Sequence, residues 1–184
     1  MRIIGGTLKG RVLKTPASDA IRPTSDRLRE TLFNILVHKH FDSLEGTAVI
    51  DLFAGTGAMG LEALSRGAHK VLFVDDGTEA RALIRANVEA LGLGGQTRIF
   101  RRDARKLGAA PPGESFALAF IDPPYGKAMA EPALVALRDG GWLAPGALVL
   151  IEEAAQAPFA LPDGYELIET RIYGETQVVF AKVV

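Results

Sequence analysis

The sequence predicts an α/β domain: a mostly parallel sheet covered on both faces by helices. Three observations lead there. From Ala48 onward, short apolar runs alternate with stretches of helical spacing, the pattern of strands joined by crossover helices. Asp51, Asp75, Asp103 and Asp122 each stand at or after the end of a separate predicted strand. In an open sheet, ligands collect at that carboxyl edge. Finally, the runs Tyr165 to Tyr173 and Thr176 to Val183 are separated by Gly174-Glu175 alone. So short a link demands an antiparallel hairpin, because a parallel return needs about a dozen residues.

The elements follow in order. Residues 2 to 14 read as a glycine-rich hairpin, Arg2-Ile3-Ile4-Gly5-Gly6-Thr7 turning into Lys9-Gly10-Arg11-Val12-Leu13. After a connector bracketed by Pro16 and Pro23, Thr24, Ser25 or Asp26 can cap a helix. Its apolar residues Leu28, Leu32, Ile35 and Leu36 share a face, with Arg27 and Arg29 pointing elsewhere. Val49 to Phe53 is the first strand, followed by the glycine turn Ala54-Gly55-Thr56-Gly57-Ala58-Met59-Gly60 and a helix to Gly67. Val71 to Val74 is the second strand. Asp76 or Thr78 then caps a helix that runs to Gly92. Thr97 to Arg101, Phe116 to Ile121 and Ala147 to Ile151 are the next strands, the last reached through a helix around Ala128 to Arg138. One domain is expected over 1–184: a basic hairpin extension at 1–22, a helix leading into the core at 23–45, and a Rossmann-like core at 46–184.

With 184 residues and 48% hydrophobic content, the chain can bury one good core, and no stretch approaches the roughly 20 apolar residues of a membrane span. It contains no cysteine, and Met1-Arg2-Ile3-Ile4 lacks the apolar run of a secretion signal. His38, His40 and His69 lack ligand spacing. The chain is therefore read as cytoplasmic, metal-free and monomeric. Its net charge of −1 is unevenly spread. Residues 1–40 carry eight Lys or Arg against three acids, a balance of +5 that leaves −6 for the remainder. A basic end of this kind suits a phosphate backbone. Arg98, Arg101, Arg102, Arg105 and Lys106 form a second basic group.

The chemistry is concentrated in Asp122-Pro123-Pro124-Tyr125. A nucleobase amine shares its lone pair with the ring and is a poor nucleophile. If the Asp122 carboxylate and the Pro123 carbonyl each accept one of its N–H groups, the lone pair is freed and aimed. The paired prolines stiffen the turn and remove competing donors. Tyr125 offers a face for base stacking, worth roughly 1–3 kcal/mol in single-strand binders. Upstream, Gly55, Thr56, Gly57 and Gly60 form a G-x-G-x-x-G loop after a strand, a spacing that nicotinamide enzymes share. The helix start beyond it is expected to present unpaired amides. Asp51 would repel a pyrophosphate but suits a cofactor bearing an ammonium and a sulfonium, which S-adenosylmethionine does. Asp75 ends the second strand, where a ribose diol would be held. A carboxylate also matches the adjacent N1–H and N2–H donors of guanine better than the donor-acceptor pair of adenine.

The chain resembles the RsmD family, bacterial methyltransferases acting on guanine N2 of 16S ribosomal RNA. The likeness rests on Arg2-Ile3-Ile4-Gly5-Gly6 with Lys9-Gly10-Arg11, on Arg22-Pro23-Thr24 with Arg27 and Arg29 to Leu36, on Asp51 to Gly57, and on the Asp122 tetrapeptide. It implies a seven-stranded class I methyltransferase fold with an antiparallel last strand and an N-terminal hairpin and helix extension. The implied target is the guanine conventionally numbered 966, within a small subunit or its assembly intermediate. By the same resemblance, Asp51, Phe53, Ala54, Gly55, Thr56 and Gly57 would line S-adenosylmethionine, Asp75 would hold its ribose, and Asp103 with Ala104 would border its adenine. Asp122, Pro123 and Tyr125 would engage the guanine, with Pro124 beside them. Arg22 and Thr24 would close the pocket, and Lys9, Arg11 and Arg27 would touch RNA phosphates. The family usually has Glu after the second strand, so Asp75 and Asp76 both remain open as the ribose ligand.

Three alternatives stand beside this reading. An adenine-N6 methyltransferase would use the same cofactor and tetrapeptide, although a sequence-specific DNA enzyme needs a recognition region for which 184 residues leave little room. A nicotinamide-dependent oxidoreductase fits the glycine loop but has no use for the Asp-Pro-Pro-Tyr rim. A non-catalytic RNA-binding protein with a relic pocket is the third.

Overall fold

The computed structural model describes residues 1–184. The strands are β1 (Ala48–Leu52), β2 (Lys70–Val74), β3 (Thr97–Phe100), β4 (Phe116–Ile121), β5 (Leu143–Ala154), β6 (Tyr165–Tyr173) and β7 (Thr176–Val183). They form one seven-stranded sheet in the order β3-β2-β1-β4-β5-β7-β6. The first five pair in parallel, and β7 enters antiparallel between β5 and β6. The helices are α1 (Asp26–Ile35), α2 (Ala58–Ser65), α3 (Thr78–Leu91) and α4 (Ala130–Asp139). None of them is long and apolar enough to cross a membrane.

Alternating strand residues feed two cores. Val71 and Phe73 of β2 pack with Leu32, Leu61 and Ile84 in the layer of α1, α2 and α3. Leu72 and Val74 pack with Leu134, Leu137 and Trp142 in the layer of α4. Each fully buried side chain of this kind contributes roughly 1.5–3 kcal/mol, which fixes strand register because a one-residue slip would exchange the two faces. Leu52 pairs with Val74 and with Ile121, Val74 with Phe100, and Ile121 with Ile151. The next residue of each strand therefore lies on one rim: Phe53, Asp75, Arg101, Asp122 and Glu152. The sheet order reverses between β1 and β4, so this rim contains the switch point at which open α/β sheets bind ligands.

Several local expectations change. β5 is longer than the run Ala147 to Ile151, and its register with β4 shifts between Phe116 and Leu118. Pro145 lies in the irregular stretch, where a missing amide is tolerated. α3 is capped by neither Asp76 nor Thr78: its N-cap is Gly77, whose amide donates to Asp75 Oδ1 at 2.9 Å. α1 starts at the expected cap, with Ser25 Oγ accepting from Leu28 N at 3.1 Å, and continues through a π-helical turn, Leu36–His40. The hairpin at 2–14 has a single bridge, Arg2 to Val12, flanked by amide bonds from Ile3 to Arg11 O and from Leu13 to Met1 O.

Arg29 is the main correction. Helical spacing turned it away from the apolar face, yet it is fully buried. Its Nε donates to Glu62 Oε1 of α2 at 3.1 Å, and its terminal nitrogens reach Asp26, the Thr24 carbonyl and the Arg2 carbonyl. Glu62, also fully buried, further accepts from the amides of Ile4 and Gly5 and from Arg66 Nε. A buried charge is tolerated when it is paired and its hydrogen-bonding capacity is filled, as here. Gly6 completes the seam. It sits at φ +79° so close to α2 that an added Cβ would fall 1.8 Å from the Ser65 carbonyl oxygen.

Candidate functional site

Two cavities open at the rim. The larger, about 590 Å³, is lined by Phe53, Gly55, Asp75, Asp76, Asp103 and Ala104, among others. Its neighbour, about 530 Å³, is lined by Thr24, Arg27, Glu152, Tyr173 and Thr176. Arg22, Asp122 and Tyr125 line both, so they form the wall between them. Pro123 and Pro124 face the first cavity.

The first cavity is shaped by the loop after β1. Phe53 adopts φ +55°, the left-handed region that non-glycine residues seldom enter, at a cost on the order of 1 kcal/mol. The turn brings Gly55 N to Asp75 Oδ2 at 3.0 Å. Burial raises the Asp75 carboxyl above its usual range, opposed by its bonds to the amides of Gly55 and Gly77. Asp51 lies behind the loop, 2% exposed and outside the cavity lining, accepting from Gly60 N at 3.0 Å. Burial pushes its carboxyl well above the ordinary range. Ala54, Thr56 and Gly57 are likewise buried beneath the surface of the cavity.

The start of α2 was expected to present unpaired amides, and most of them are instead paired within the loop, leaving Met59 N free. Gly57 N donates to Ala54 O, Ala58 N to Thr56 Oγ1, Gly60 N to Asp51 and Leu61 N to Gly57 O. An anion at this terminus would find most of its donors taken and an acid behind them. The arrangement disfavours the pyrophosphate of a nicotinamide dinucleotide and suits a ligand with a diol, a flat apolar ring and positive charge.

The dividing wall is set by β4 and its register with β5. Asp122 Oδ2 accepts from Thr24 Oγ1 at 3.3 Å, and the same hydroxyl lies 3.4 Å from Glu152 Oε1. Burial pushes the Asp122 carboxyl up to about 7, against the pull of the Arg22 charge and the Thr24 hydrogen bond. Burial and then the neighbouring Asp122 charge raise Glu152 well above the usual carboxylate range. Tyr125 Oη and Thr176 Oγ1 are 2.7 Å apart, which locks the ring. The Arg22 guanidinium lies 3.5 Å from that ring's centroid. Glu153 Oε1 accepts from Gly126 N at 2.9 Å and so pins the turn beyond Tyr125. The wall is thus a preorganised set of acceptors beside an aromatic plate, with a cavity on either side.

The expected residues distribute as follows. Phe53, Gly55, Asp75, Asp103, Ala104 and Arg22 line the first cavity. Thr24, expected there, lines the second with Arg27. Asp103 is ion-paired with Arg105 at 2.8 Å. Lys9 and Arg11 lie away from the rim. Arg11 donates to Ala90 O near the far end of α3, about 18 Å along that helix from Thr78 at 1.5 Å per residue. Glu152 and Glu153 were not identified from sequence, although both directly follow the apolar run Ala147 to Ile151, the signal that marked the other rim acids.

A family model described as "Conserved hypothetical protein 95" matches residues 1–182. Ribosomal RNA small subunit methyltransferase D of Escherichia coli K12 is 36% identical over 177 residues, covering 95% of this chain and 86% of that protein. The protein of the same name from Haemophilus influenzae is 34% identical, covering 95% and 89%. Among solved structures, the yhhF protein of Escherichia coli superposes with a TM-score of 0.83 at 31% identity, covering 100% of this chain and 97% of that one. A hypothetical protein of Thermus thermophilus gives 0.76 at 33% identity, covering 98% of each chain. The seven-stranded sheet, the loop after β1 and the Asp122 tetrapeptide thus sit in a full-length match, and the chain belongs to the RsmD family, that of ribosomal RNA small subunit methyltransferase D.

Proposed function

We propose that this protein is an S-adenosylmethionine-dependent methyltransferase of ribosomal RNA that modifies the N2 amine of a guanine in 16S RNA of the small subunit, the guanine conventionally numbered 966. The observation that carries the reading is the shared wall: Asp122 and Tyr125 each border both cavities, so one cavity can hold the methyl donor and the other the base. S-adenosylmethionine, when bound, supplies an electrophilic methyl on a sulfonium. The residues around the first cavity fit it: Asp75 and Asp76 for the ribose, Ala104 against the adenine, and Phe53 and Gly55 along the chain.

The Asp122 carboxylate and the Pro123 carbonyl accept the two N2 hydrogens, which localises the lone pair on nitrogen and aims it across the wall. Tyr125, held by Thr176, supports the base plane. On methylation, N2 would give up one proton to the Asp122 carboxylate. A group pushed up to about 7 is suited to accept it near neutral pH. Arg27 lines the base cavity and Lys9 and Arg11 extend the basic surface, so RNA phosphates would be gripped from the rim back along α3.

The test is to incubate undermethylated small subunits, and naked 16S RNA separately, with methyl-labelled S-adenosylmethionine and to map the product nucleotide. Label on N2 of one guanine is expected. Label on adenine N6, or none on either substrate, overturns the assignment.

A further inference from the structure

The second cavity contains a carboxylate with no assigned task. Glu152 follows Ile151, the register partner of Ile121, so it stands beside Asp122 on the adjacent strand. It lines the base cavity and is 3% exposed. The neighbouring Glu153 is occupied structurally, accepting from the amides of Gly126 and Ala154. Glu152 has only the Thr24 hydroxyl, at 3.4 and 3.5 Å, and the Asp122 carboxyl beside it, and that hydroxyl also lies 3.3 Å from Asp122. A hydroxyl carries one hydrogen, so it cannot satisfy both carboxyl groups. The two carboxyl groups therefore share one hydroxyl and each other, and the cavity that Glu152 lines is where a further donor can reach it.

Two carboxylates side by side present acceptors to two adjacent donors. Guanine offers such a pair on its Watson–Crick edge, N1–H next to the N2 amine, whereas adenine offers a donor next to an acceptor. With Asp122 and Pro123 on the amine, Glu152 on the adjacent strand is the acceptor beside them. Building on the guanine reading above, we propose that Glu152 is the residue that selects the base, accepting the N1–H of guanine while Asp122 holds N2. An acceptor ring nitrogen at that position would confront the carboxylate lone pairs, and the site would be left unpaired on both sides. Sites built to meet a substrate N–H discriminate strongly against analogues that lack it.

The experiment uses small subunits reconstituted with 16S RNA ligated to carry guanine or 2-aminopurine at the target nucleotide. 2-Aminopurine keeps the reacting amine but has an acceptor at N1. Wild-type protein is expected to lose about 10- to 100-fold in kcat/KM on 2-aminopurine, the range for a charge-assisted hydrogen bond. Glu152→Gln, whose amide can donate to N1, is expected to narrow that ratio at least about tenfold by losing on guanine and gaining on 2-aminopurine. Glu152→Asp should keep the wild-type preference at lower activity. A general structural lesion lowers both substrates together and leaves the ratio unchanged, so an unchanged ratio in a Glu152→Gln protein of wild-type thermal stability overturns the proposal. So does equal use of both bases by the wild type. If the wild type transfers nothing to guanine particles, the guanine reading itself fails, and this inference falls with it.

Discussion

Arg22 places its guanidinium 3.5 Å from the centre of the Tyr125 ring, covering one face of the aromatic plate and putting its charge beside Asp122. That charge holds the Asp122 carboxyl lower than burial alone would leave it. Arg22→Ala should therefore raise the acidic midpoint of the single-turnover pH–rate profile, by about half a unit or more. Arg22→Lys should restore most of it. An unmoved midpoint in Arg22→Ala would remove Arg22 from the electrostatics of the site.

Asp122 carries an opposite prediction for stability and activity. Its folded value of about 7 exceeds the unfolded value of 3.8, so the folded state binds the proton more tightly. The stability contributed by this group is then fully present at low pH and declines as pH rises through the window from about 4 to 7. Asp122→Asn should abolish methyl transfer yet raise the melting temperature at pH 8 by about 2–4 °C, roughly 1 kcal/mol for a chain of this size. The gain should shrink towards pH 4. Melting curves across pH read it directly, and a variant less stable than wild type at pH 8 would contradict the ionised, buried carboxylate.

Tyr125 separates stacking from hydrogen bonding. Tyr125→Phe loses only the contact with Thr176 and should change kcat/KM less than about fivefold, the range of a neutral hydrogen bond. Tyr125→Ala removes the plate and should lower kcat/KM by about 5- to 150-fold, mostly through KM for RNA. Similar losses in both variants would assign the role to the hydroxyl instead.

The acids after β2 can be told apart by titration calorimetry with S-adenosylmethionine. Asp75 is held in place by the amides of Gly55 and Gly77, whereas Asp76 is exposed. A preorganised acceptor loses less freedom on binding. Asp75→Ala should weaken binding more than about tenfold and Asp76→Ala by less than about threefold, following that difference. The reverse ranking would give the ribose to Asp76.

Arg29→Met would leave the buried Glu62 without the Arg29 guanidinium, with Arg66 as its remaining cationic partner. Breaking a buried pair from one side costs about 3–5 kcal/mol. Urea unfolding should show a loss of that order, and Arg29→Met with Glu62→Met together should recover part of it. Simple additivity of the two losses would show that the residues are not coupled.

Most of the sheet and part of the site were legible in the chain because their signals are local. An apolar run ending in an acid marks a strand and its rim residue together, which located Asp75 and Asp122. The features that were missed depend on partners distant in sequence. Glu152 adjoins Asp122 only through the pairing of β5 with β4, and Arg29 meets a carboxylate 33 positions away. Helical spacing assigns a charged side chain to solvent unless that partner is known. Two of the loop amides, Ala58 N and Gly60 N, were misjudged for the same reason: their acceptors, the Thr56 hydroxyl and Asp51, are fixed by the path of the turn.

The Arg29 guanidinium touches the first strand of the N-terminal ribbon, the segment carrying Thr24, and helix α2 all at once. Removing the ribbon would strip Glu62 of two amide donors and Arg29 of a carbonyl, and so slacken the Thr24 hydroxyl that bridges the two acids. The leading segment is therefore part of the keystone of the second cavity, and a shortened chain would forfeit that cavity's shape.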